Sequence, residues 1–140
     1  MKVHVKYRDG YRNQLAETIS MQLPIQLWPD LVIDTEFYRI DAGGRLTIRQ
    51  GYAWDGASGP TIDWPASQII VPSLIHDVLC QAGRSGHLYS IANAREHTDR
   101  LFYELLRERG MNFIRAYIWY RGVRIGSLMA SHDKEVKESS

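Results

Sequence analysis

His76 and Asp77 stand side by side in the run Pro72-Ser-Leu-Ile-His-Asp-Val-Leu-Cys80. Asp55 precedes them in a glycine-rich stretch, Gly51-Tyr-Ala-Trp-Asp-Gly-Ala-Ser-Gly-Pro60, and Asp99 follows in Glu96-His-Thr-Asp-Arg-Leu-Phe-Tyr103. An imidazole held by a carboxylate can take a proton from water. Carboxylates and backbone carbonyls on a flexible turn suit a hard cation such as calcium. One histidine and three carboxylates therefore point to hydrolysis beside a bound metal, provided that two helices and one loop bring them together.

On a helix, neighbouring side chains diverge by roughly 100°, so Asp77 does not orient His76. Asp99 is the candidate orienter: by accepting from one ring nitrogen it fixes the tautomer and leaves the other nitrogen as base. The bland alternative makes His76 a partly exposed helix residue and pairs Asp99 with an arginine such as Arg95. Asp55 and the Gly56 carbonyl can serve a cation, with Asp77 as a further carboxylate and Trp54 and Ser58 beside them in the loop. Alternatively Asp55 only bonds backbone N–H groups, as in ordinary Asp-Gly turns. His4, His87, His97 and His132 lack metal-ligand spacing. Cys80 falls on an apolar helix face and reads as a packed thiol rather than a nucleophile. Trp28, Trp54, Trp64 and Trp119 read as core or rim packing before they read as an interfacial surface.

The elements that must position these groups give an α+β fold: a small antiparallel sheet from the first half, packed by three helices from the second. Val3 to Tyr7 alternates like a strand, and residues 13–23 are ambiguous. Leu31 to Ile33, Glu36 to Ile40 and Arg45 to Arg49 read as strands, the last two joined through the turn Asp41-Ala-Gly-Gly44. A first helix is expected from Pro72 to Gly83 with Leu74, Ile75, Val78, Leu79 and Ala82 inward. A second is expected from a Ser90 cap to Gly110, with Ile91, Ala94, Leu101, Phe102, Leu105 and Leu106 inward. Asn112 caps a third, in which Ile114, Tyr117, Ile118, Ile125 and Leu128 repeat at helical spacing. These make one domain over residues 1–131 (strand-rich 1–50, loop 51–65, helical 66–131), followed by a charged, frayed tail over 132–140.

A chain of 140 residues, 44% hydrophobic and 24% charged, is ordinary for one globular domain. Its net charge of +1 gives no whole-protein case for nucleic acid, although Arg115, Arg121 and Arg124 gather late. One cysteine allows no internal disulfide and fits a reducing compartment. No signal peptide and no transmembrane segment is expected.

The blocks Gly-Tyr-Ala-Trp-Asp-Gly-Ala-Ser-Gly-Pro, Pro-Ser-Leu-Ile-His-Asp, Asp-Arg-Leu-Phe and Tyr-Arg-Gly-Val-Arg occur in that order. Together they resemble a family of small proteins of unknown function (domain of unknown function 1353) common in tailed phages and prophages. The resemblance spans about Phe37 to Gly126. It implies a phage origin, with host cytoplasm or virion as the location and phage structural proteins or a cell-envelope substrate as partners. More distantly, the order of Asp-Gly loop, His-Asp helix and Asp helix is similar to bacterial-type phospholipase A2. That resemblance implies His76 as base, Asp99 as its orienter, and a calcium ion on Asp77, Asp55 and the Gly56 carbonyl. It also implies a tyrosine one turn after the histidine, bonded to the orienting aspartate. Cys80 stands there instead, and Tyr103, one turn after Asp99, is the candidate substitute. The leading expectation is a metal-dependent ester hydrolase of phage origin. The alternatives are an accessory or structural component of the phage particle with a degenerate site, and an enzyme that cleaves cell-wall peptide or glycan.

Overall fold

The computed structural model describes residues 5–8, 12–54 and 66–138. Among the described residues seven short strands precede three α-helices, an α+β layout. The four-stranded antiparallel sheet has the order β3 (Ile19–Gln22), β6 (Arg45–Ile48), β5 (Tyr38–Ile40), β4 (Ile33–Asp34). A second sheet of three strands joins β1 (Val5–Arg8), β2 (Arg12–Leu15) and β7 (Ala53–Trp54), so the ambiguous residues 13–23 contribute to both sheets.

Hairpin β5–β6 forms because Asp41-Ala-Gly-Gly44 closes it. The Asp41 carboxylate accepts from Arg45 N at 2.9 Å, and Gly44 takes a left-handed φ of +79°. Trp28 lies against Gly44 so closely that a Cβ there would overlap the indole. The indole N–H in turn donates to Leu23 O at 2.8 Å. The strands then present Ile40, Leu46 and Ile48, all fully buried, to the helices.

Helix α1 (Ala66–Arg84) begins before Pro72, so the proline lies inside the helix rather than in its first turn. Proline has no N–H to give the carbonyl four residues back, a loss that a buried, well-packed helix can carry. Its apolar stripe is the expected one: Leu74, Ile75, Val78, Leu79 and Ala82 are all buried. The helix stops at Gly86 (φ +79°) rather than Gly83; His87 N bonds Ala82 O and Gly86 N bonds Gly83 O, a glycine-terminated cap. His87 is thereby placed 3.1 Å, through Nδ1, from the hydroxyl of buried Tyr38.

Helix α2 (Ala94–Glu108) starts later than Ser90, because residues 85–93 run as turns and Asn93 caps the helix in a left-handed conformation. It ends in a second glycine cap at Gly110 (φ +91°), with Met111 N bonded to Leu106 O. Helix α3 (Phe113–Glu138) is capped by Asn112, whose Oδ1 accepts from Ile114 N at 2.8 Å. Its inward face differs from the expected repeat. Ile114, Tyr117, Ile118 and Ile125 are exposed, whereas Ala116 is buried and Trp119 and Val123 pack beside Ile69, Phe102, Leu106 and Met111. Small Ala116 lets α3 approach α2, which decides the face against the larger isoleucines. Among the described residues no helix is long and apolar enough to cross a membrane.

The Gly44–Trp28 fit is open to a direct test. Gly44→Ala is expected to lower the unfolding free energy by about 2 kcal/mol in urea denaturation. A loss under about 0.5 kcal/mol would show that the indole is not seated on the turn.

Candidate active site

Asp99 lies on the inward face of α2 with no exposed surface. A carboxylate there needs charge and hydrogen bonds from the protein. His76 of α1 supplies the first, Nε2 to Oδ1 at 2.6 Å. Arg95, one turn earlier on α2, donates from Nε to the same oxygen at 3.1 Å. Arg124 of α3 donates from Nη1 to Oδ2 at 2.9 Å. Orienting pair and arginine pair therefore coexist: Asp99 holds both His76 and Arg95.

A carboxylate that receives two guanidinium donors acts as an acceptor, so in the neutral imidazole of His76 it is Nε2 that carries the proton and Nδ1 the lone pair. The ring is packed by Phe102, centroids 5.2 Å apart, and its side chain keeps 13% of its surface. Cys80, one turn further along α1, has Sγ 3.6 Å from Nδ1 and 3.7 Å from Nε2. A thiol aligned with one nitrogen's lone pair would be much closer to that nitrogen than to the other. The near-equal distances therefore put sulfur beside the ring rather than on the base. Burial pushes the thiol up to about 12; Arg95 and Arg84 oppose that rise, and Asp99 and Asp77 reinforce it. Cys80 is a packed thiol and not an activated nucleophile.

Asp77 turns away from His76, as the helical geometry requires. Its Oδ2 accepts from the Tyr52 hydroxyl at 2.8 Å, and that hydroxyl also lies 2.8 Å from Gln81 Oε1. Tyr52 is buried, and burial followed by the Asp77 charge raises its hydroxyl above the ordinary tyrosine value. Tyr103 does not take the expected place beside Asp99; it packs edge-on against Tyr120, centroids 6.1 Å apart. Arg95 and Arg124 hold the carboxylate instead. Arg124, Tyr52 and Phe102 carry parts of the site that sequence reasoning did not assign. Arg124 and Tyr52 both lie in quoted motif blocks, and a carboxylate at a core position of α2 was itself a sign that a cation must face it.

A hard cation takes about six to eight oxygens. Among the described residues Asp77 offers one carboxylate oxygen not bonded to Tyr52, and no group of three or more His, Cys, Asp or Glu could hold a metal. Asp55, Gly56 and Ser58 lie outside the described residues, and of Trp54 only the backbone, in β7, is placed. The described donor set does not make up a calcium shell.

A protein-family model described as "Protein of unknown function (DUF1353)" matches residues 31–123, more than half of the chain and every helix residue of the site except Arg124. No curated protein and no solved structure matches.

Two outcomes follow from this geometry. Asp99→Asn leaves two partly buried guanidinium groups without their countercharge, so unfolding free energy in urea should fall by about 3 kcal/mol; a fall below about 1 kcal/mol would place the cluster among surface pairs. Native Cys80 should be alkylated at pH 8 roughly a hundredfold more slowly than in denaturant. Because the folded thiol is raised from 9.0 to about 12, its contribution to stability is full below pH 9 and is lost as pH climbs towards 12. That fall should be shallower in Cys80→Ala; equal slopes in the two proteins would show that the folded thiol is not shifted.

Proposed function

The chain belongs to the DUF1353 family, whose description names no activity, and from the geometry we propose that it is a hydrolase-like protein with a His76–Asp99 dyad acting on esters. One observation carries the reading. The imidazole is bonded at 2.6 Å to a carboxylate sealed from solvent, while the His76 side chain keeps 13% of its surface. In the proposed reaction Asp99 holds the ring and Nδ1 takes a proton from water. The water oxygen attacks the ester carbonyl carbon. When the tetrahedral intermediate collapses, the protonated imidazole returns the proton to the leaving alkoxide, giving acid and alcohol. No step is routed through a cation. The setting in this proposal is a phage or prophage, and the substrate an ester of lipid or cell envelope.

A second reading makes the domain an accessory part of a phage particle with a degenerate site. Cys80, lying against both ring nitrogens where the phospholipase resemblance implies tyrosine, favours it.

His76→Ala is expected to reduce ester turnover at least a hundredfold, about the lower limit for a general base, with an unchanged circular dichroism spectrum. Full turnover by that variant would falsify the dyad. Stoichiometric recovery in virions, without turnover by the wild type, would select the second reading.

A further inference from the structure

Asp99 is one negative charge between two guanidinium groups, so with a neutral His76 the cluster carries a surplus positive charge. Arg95 spends only Nε on Asp99, and Arg124 only Nη1. Among the described residues no hydrogen bond takes up the two terminal amino groups of Arg95 or Nη2 of Arg124. Guanidinium donors lie in a fixed fork that matches the oxygens of an anion two at a time. The two side chains are 33% and 30% exposed, whereas the carboxylate between them has no exposure, so both guanidinium side chains reach from the buried charge towards solvent. Arg95 Nε and His76 Nε2 bond the same oxygen, which makes guanidinium and imidazole immediate neighbours. Arg84 adds a further positive charge within electrostatic reach of Cys80 and Tyr52, countered by Asp77.

We propose that Arg95 and Arg124 form an anion site beside His76, and that it takes a phosphate group carried by the substrate. The phosphate sits on the solvent side of the two forks while Asp99 occupies their inner side. In a phosphate-bearing ester this would hold the molecule within reach of Nδ1 without a metal. The word "substrate" rests on the hydrolase reading; the anion site does not. The phosphate can belong to a lipid headgroup or to a small soluble ester, and the chemistry that recognises it is the same.

The test uses the full chain with inorganic phosphate, titrated by calorimetry and NMR in the presence of a chelator. Binding with a dissociation constant of about 1 mM is expected, unchanged by added calcium. It should shift the side-chain N–H signals of Arg95 and Arg124 and the ring signals of His76. Arg95→Lys and Arg124→Lys each keep a cation for Asp99 but lose the fork, and should weaken phosphate binding about tenfold. Absence of phosphate binding, shifts confined to other residues, or a strict calcium requirement overturns the site. The shifts in the wild type decide the matter even if a lysine variant does not fold. Phosphate that displaces the chain from phosphatidylglycerol vesicles assigns a lipid headgroup; glycerol phosphate that binds while vesicles do not assigns a soluble ester. Phosphate binding without any ester turnover leaves the anion site and removes the hydrolase reading. Turnover without phosphate binding does the reverse.

Discussion

A carboxylate with no exposed surface has to receive its hydrogen bonds and its countercharge from the protein, and for Asp99 these come from three helices at once. His76 reaches it from α1, Arg95 from its own helix and Arg124 from α3. The apolar packing around the cluster is arranged to the same end. Phe102 covers the imidazole, and with Leu106, Met111 and Ala116 it forms the contact between α2 and α3. The helices cannot shift relative to one another without unpairing a buried charge. Whatever reaction or ligand the site serves, its preorganisation is bound up with the packing of the whole helical layer.

The neighbouring residue performs the complementary task on the other side. Asp77 and Gln81, one turn apart on α1, both meet the hydroxyl of buried Tyr52, which immediately precedes β7. Consecutive positions on one helix are thus bonded to two different layers, His76 to the helices and Asp77 towards the strands. That arrangement fixes α1 in rotation about its own axis. It also explains why the imidazole presents a defined nitrogen: the ring is held at Nε2, packed by Phe102 and Cys80, and carried on a helix that cannot turn.

Much of this was readable in the sequence because the signals were local and periodic. The stripe from Leu74 to Ala82, the turn at Asp41 to Gly44 and the cap at Asn112 each depend on a few neighbouring residues. The closeness of His76 and Asp99 followed from placing one carboxylate and one histidine on consecutive helices. What escaped the reading depended on tertiary context. Pro72 and Ser90 have the right chemistry for helix starts, yet packing carries α1 back to Ala66 and turns occupy the residues around Ser90. Gly83 and Gly86 are equivalent as letters, and only the bonds from Gly86 and His87 choose between them. On α3, Ile114, Tyr117, Ile118 and Ile125 repeat at helical spacing but face outward, since close approach of two helices favours Ala116 over isoleucine. Arg124 looked like one of several late arginines; its partner is 25 residues away, on another helix.

The group that holds a buried carboxylate also sets the charge beside it. In the phospholipase-like arrangement a phenol holds the orienting carboxylate, and a phenol contributes a hydrogen bond without charge. The aspartates then leave such a site negative, which favours a divalent cation. Here a thiol fills the corresponding position on α1, too short and too weak a donor to serve, and burial keeps it protonated at neutral pH. Two guanidinium groups do the holding in its place, and each brings a full charge with donors to spare. The His76–Asp99 pair is therefore flanked by two positive charges rather than by a neutral phenol. Position along the helices determines which carboxylate meets the imidazole, but the identity of the residues behind that pair determines the charge that surrounds it.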